Sequence, residues 1–180
     1  MLIDREHCAL LVVDVQERLL PHMYDWQRLL DNVIWMVRLA RRLNVPVMAS
    51  EQYPKGIGAT QANLRALLPE GSIAEKLHFS CASANCLTGL PGGDRRQLVV
   101  CGIESHVCVL QTVLELRWQG KEVFVIADAV SSRDPANREF ALARMRGHAV
   151  EVVSREMVAF EWLRQAGTAE FREVSAQFLR

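Results

Sequence analysis

A chain of 180 residues, half of them hydrophobic and 23% charged, suits one globular domain around one continuous core. Lys plus Arg equals Asp plus Glu at 21 each, and a net charge of zero argues against nucleic acid or an anionic membrane as partner. No apolar run is long enough to span a bilayer. Charges at Asp4, Arg5 and Glu6 stand where a secretory signal needs its apolar core, so the expected location is cytoplasmic. The five cysteines are Cys8, Cys81, Cys86, Cys101 and Cys108. With no Cys-x-x-Cys pair among them, they suit neither a disulfide framework nor a structural zinc site.

Taken in chain order, Ala9 to Val13 is a continuous apolar run ending at Asp14, the pattern of a parallel strand buried on both faces. Trp26, Leu29, Leu30, Val33, Ile34, Val37, Ala40 and Leu43 recur at helical spacing and put one apolar stripe on a long helix. Val45 to Ala49 reads as the second strand. Ser50 to Thr60, with two glycines and a proline, reads as a loop. A helix over Gln61 to Leu67 and a short third strand over Ile73 to Lys76 follow. Leu98 to Cys101 is the fourth strand. His106 to Gln119 is helical, with Ser105 as its N-cap and Gly120 as its C′ residue. Val123 to Ala127 is the fifth strand, Asp134-Pro135 a helix start, and Ala149 to Val153 the sixth strand. Two amphipathic helices, near Arg155 to Gln165 and Ala169 to Leu179, close the chain. Strands alternating with helices predict an α/β domain with a mostly parallel sheet.

Ligands of open α/β sheets bind beyond the carboxyl ends of the strands, where strand order reverses. Three such ends carry reactive residues: Asp14 after the first strand, Lys76 at the end of the third, and Cys108 just after the fourth. A thiol in a helix's first turn lies in the field of unsatisfied N–H groups, which favours its thiolate and offers donors to an oxyanion. A carboxylate beside it can move the proton, and a lysine beside that carboxylate orients it. Each residue also has a plain alternative: a loop cap for Asp14, a solvated cation for Lys76, a core cysteine for Cys108.

The segments Leu11-Val12-Val13-Asp14-Val15-Gln16, Glu75-Lys76-Leu77-His78-Phe79-Ser80 and Gly102-Ile103-Glu104-Ser105-His106-Val107-Cys108-Val109, continued by Ala127-Asp128-Ala129-Val130-Ser131-Ser132-Arg133, resemble the motifs of the isochorismatase-like cysteine hydrolases. The resemblance covers nearly the whole chain. It implies a single domain over residues 1–180, a three-layer α/β/α fold with a six-stranded parallel sheet in the order 3-2-1-4-5-6. It implies an Asp14-Lys76-Cys108 triad, a cis peptide at Ile103-Glu104, and an oxyanion hole built from the backbone N–H groups of Glu104 and Cys108. The implied reaction is acyl transfer from a small-molecule amide through a thioester on Cys108. Homo-oligomers are also implied.

Two departures narrow the activity. Nicotinamidases of this family hold a metal after the second strand, where this chain has Gln52 and Pro54, so no metal or other cofactor is expected. Isochorismatases proper cleave a vinyl ether without a cysteine nucleophile, so Cys108 argues against that activity. The Glu51 to Gly56 run resembles an isochorismatase-domain subgroup with mostly unassigned substrates. Gln16, Tyr53, Phe79 and His106 are the weaker candidates for the substrate pocket, and Cys81, Cys86 and Cys101 are read as structural. A thiol-based redox sensor that kept the fold and lost turnover is the alternative from another class, and ether hydrolysis is a third reading.

Overall fold

The computed structural model of the chain describes residues 1–179. Six strands, β1 (Cys8–Val13), β2 (Val47–Gln52), β3 (Ile73–Lys76), β4 (Gln97–Ile103), β5 (Glu122–Ser131) and β6 (Glu151–Val153), form one sheet in the order β3-β2-β1-β4-β5-β6, with every pair parallel. This is the single-domain α/β fold with the strand order that the resemblance implies.

The apolar runs alternate across the sheet as the two-residue period of a strand requires. In β1, Cys8, Leu10 and Val12 face one core, while Ala9, Leu11 and Val13 face the other. The first core is closed by α1 (Trp26–Arg42), α6 (Arg155–Leu163) and α7 (Ala169–Phe178). Phe171, Val174, Phe178 and Leu179 pack there, so the face they share covers the chain's own sheet. The second core is closed by α4 (Leu110–Trp118), α5 (Pro135–Arg146) and the segment around Cys81 to Leu90. Among the described residues, no helix is long and apolar enough to cross a membrane.

Several element bounds differ from expectation. The β2 strand starts at Val47 and runs on through Glu51 and Gln52, which pair with Glu75 and Lys76. Its polar end reads as loop in sequence because the hydrogen bonds that bury Glu51 and Gln52 are tertiary. The expected loop also contains a single helical turn, α2 (Pro54–Ile57), and α3 is reduced to Ala62–Arg65. The β5 strand continues past Asp128 to Ser131, with a register irregularity opposite the Val100–Gly102 stretch of β4.

The α4 helix ends as its sequence demands. Gly120, at φ +87°, lets the Lys121 N–H reach the Leu116 carbonyl, the Schellman closure that glycine makes inexpensive. Its start differs. Residues Ser105–Val109 form a π-type turn with Glu104, not Ser105, in the capping position. The Ser105 hydroxyl is buried without a partner, and the Val107 N–H from which a capping Ser105 would accept donates instead to the Glu104 carbonyl.

Candidate active site

The site lies where strand order reverses, between β1 and β4, the place such sheets offer for ligands. Asp14 follows β1 in the left-handed conformation at φ 51°, which aspartate tolerates better than most residues. Its N–H donates to the Ser50 carbonyl, so the turn is tied to β2. Lys76, the last residue of β3, reaches across β2 and places its Nζ 2.7 Å from Asp14 Oδ2. Both side chains are fully buried. The Cys108 thiol, 5% exposed, faces both of them, the carboxylate raising its pKa and the ammonium lowering it. The three strand-end residues are thus brought together.

Two neighbours that sequence reasoning missed complete the arrangement. Ser50 Oγ donates to Asp14 Oδ1 at 2.6 Å, so each carboxylate oxygen has its own donor. Gln52 Oε1 accepts from Lys76 Nζ at 2.7 Å, while its Nε2 donates to the Leu77 carbonyl. The amide therefore gives the ammonium a second acceptor besides Asp14. Ser50 and Gln52 alternate with Glu51 along β2 and point to the same face of the sheet. That signal becomes readable only if the strand is extended past Ala49.

Charges in the site follow from these contacts. Burial opposes the Lys76 ammonium, but the Asp14 carboxylate 2.7 Å away outweighs it, and its pKa is raised. The cation is kept. Cys108 differs from expectation. Burial pushes its pKa up to about 12; Asp14 adds to the rise, and Lys76 opposes it. Desolvation and a facing carboxylate override the N–H field of the turn, so the resting group is a neutral thiol.

The remaining candidates occupy distinct places. The Ile103–Glu104 peptide is cis. The Glu104 carbonyl accepts from the N–H groups of Val107 and Val109 rather than that of Cys108. Glu104 Oε2 accepts from Arg133 Nε at 3.0 Å, which supplies the ion-pair partner that sequence leaves open. Gln16 is fully buried. Its amide donates to the Gln52 and Gly58 carbonyls and accepts from the Gln52 N–H, so it acts as a strut beneath the site. Tyr53 and Phe79 are each about half exposed. The Tyr53 ring lies where a Cβ on residue 56 would fall, 2.4 Å from its Cε1, which explains Gly56. His106 Nδ1 is 2.9 Å from Ser132 Oγ. Cys101 is core, and Cys81 and Cys86 lie in the second core.

The sheet order, together with a polar cluster at its reversal, defines an open α/β domain with a candidate site at its switch point. The chain belongs to the isochorismatase family, since the Isochorismatase domain matches residues 8–157. It is similar to isochorismatase domain-containing protein 2 of Danio rerio, at 35% identity over 92% of this chain and 84% of that one. The secreted isochorismatase effector Isc1 of Phytophthora sojae is also 35% identical, over 93% and 82% of the two chains. Among solved structures, that of the MAR1 ribonuclease from Caenorhabditis elegans superposes with a TM-score of 0.89 at 30% identity, covering 100% of this chain and 93% of that one.

Proposed function

We propose that the protein is a cysteine-dependent hydrolase of the C–N bond in a small-molecule amide. The observation that carries this reading is the buried Lys76–Asp14 pair at 2.7 Å with the Cys108 thiol beside both. Cys108 Sγ attacks the carbonyl carbon as Asp14 takes the thiol proton. Negative charge gathers on the carbonyl oxygen, within reach of the Glu104 and Cys108 N–H groups. The C–N bond then breaks, Asp14 returns the proton to the leaving amine, and a water activated by Asp14 cleaves the thioester. Lys76 holds the Asp14 carboxylate in position, and Gln52 keeps Lys76 in place. The neutral resting thiol suits this sequence, because its proton is still available for Asp14 to carry to the amine.

A net charge of zero favours a small molecule over RNA, so the activity named for the worm relative is not carried over. We place the protein in the cytoplasm, a reducing setting that suits five free cysteines. We also read it as a homo-oligomer. Trp118 on α4 and Phe140 on α5 stand 88% and 72% exposed, on helices that cover the same face of the sheet, and large exposed aromatics mark contact surfaces.

The test is acid quenching during turnover of a panel of primary amides, with intact mass spectrometry. An acyl adduct that maps to Cys108 is expected, together with a rate loss of about 10³-fold or more in Cys108→Ala. Undiminished hydrolysis by Cys108→Ala excludes the mechanism and favours ether hydrolysis. Selective alkylation of Cys108 without turnover of any substrate favours the thiol sensor.

A further inference from the structure

The hydrolytic reading leaves Cys81 and Cys86 unused, yet these thiols are neither isolated nor distant from the site. The Cys86 N–H donates to the Cys81 carbonyl at 3.0 Å, closing a tight turn. Disulfides span Cα separations of about 4.4–6.8 Å, the range that such a turn provides. Both side chains pack in one core, and each thiol perturbs the other's pKa.

The turn is anchored to α4. Cys81 N–H donates to Thr112 Oγ1 at 3.0 Å, and Ser80 and Ser83 both donate to Glu115 Oε2. Thr112 lies four residues beyond Cys108, one helical turn along the same face, so Cys81 is held on the side of the helix that carries Cys108. Cys86 retains 7% of its surface.

We propose that Cys81 and Cys86 are a second reactive thiol site, a dithiol that hydrogen peroxide closes to a disulfide beside Cys108. The Cys86 sulfur attacks one peroxide oxygen and the O–O bond breaks. Cys86 becomes a sulfenic acid, and the other oxygen leaves as water with the thiol's proton. The Cys81 sulfur then displaces the hydroxyl group from the Cys86 sulfur, and its own proton departs with that hydroxyl as a second water. The pair loses two electrons, and one peroxide is reduced to two waters.

The division of roles follows from access. Cys86 keeps part of its surface while Cys81 is fully enclosed, and the Cys86 pKa is lowered while that of Cys81 is raised. Cys86 is therefore the thiol that meets peroxide first and Cys81 the one that resolves it.

The test treats the full chain with equimolar hydrogen peroxide, blocks free thiols with iodoacetamide, and maps tryptic peptides. Residues 77–95 form one peptide that holds both cysteines, while Cys108 lies in another. The expected result is an unalkylated 77–95 peptide lighter by two hydrogens and restored by dithiothreitol. It forms about tenfold or more faster than any oxidation at Cys108, and equally fast in Cys108→Ser. Alkylation of both cysteines as in untreated protein, a cross-link from Cys108 to either, or loss of closure in Cys108→Ser would overturn the proposal. No amide substrate enters the assay, so its failure is separate from any failure of the hydrolase reading.

Discussion

Cys108 combines a reactive position with a resting proton, and the physical reason is burial. A desolvated sulfur facing a carboxylate is costly to ionise, even with an ammonium and helix-turn N–H groups nearby. The consequence can be measured without a substrate. With the pKa pushed up to about 12, the thiolate fraction rises about tenfold per pH unit throughout the accessible range. Alkylation of Cys108 by iodoacetamide, followed by peptide mapping, should therefore quicken about 100-fold from pH 7 to pH 9 and show no plateau there. A plateau near the ordinary thiol range would mean that Lys76 and the turn dominate after all. At this scale the sequence was legible for Asp14, Lys76 and Cys108, because each ends or follows a strand in a recognisable motif. Ser50 and Gln52 were not legible, because their roles rest on side-chain contacts to residues 36 and 24 positions away.

At the scale of elements, the parallel pairing of β1 and β4 sets the distance between Asp14 and Cys108. Gly102 pairs with Val13 at φ +119°, and a Cβ there would lie 2.1 Å from the Val13 carbonyl oxygen. Gly102→Ala should combine left-handed strain with a backbone clash and destabilise the protein by more than about 3 kcal/mol. Gly89 offers a control, since it has φ +83° and nothing within 4 Å of its virtual Cβ. Gly89→Ala should cost only about 1–2 kcal/mol, the strain alone. Urea unfolding of the two variants distinguishes them, and equal midpoints would refute the packing argument. The strand ends show the same division between local and tertiary signals. The bounds of β3 agree with the sequence reading, whereas β2, β4 and β5 each run further than their apolar runs. Parallel pairing continues wherever tertiary partners satisfy the polar residues.

For the whole molecule, the sheet buries both faces, yet the outer helices leave Trp118 and Phe140 in solvent. Light scattering at micromolar concentration should give a multiple of the 20.3 kDa chain mass. The double substitution Trp118→Ser, Phe140→Ser should lower it towards one chain while leaving thermal stability nearly unchanged, as expected of exposed positions. A wild-type mass of one chain would remove the assembly from the proposal.

The sequence by itself determined the parallel α/β domain, through apolar runs alternating with helical stripes, and the three reactive strand ends, through their motifs. Those signals are local and periodic, so they survive without coordinates. Only the tertiary structure decided the protonation of Cys108, the grip of Ser50 and Gln52 on the Asp14–Lys76 pair, and the approach of Cys81 to the site. Each of these depends on desolvation or on a contact between residues far apart in the chain, and neither leaves a spacing to read.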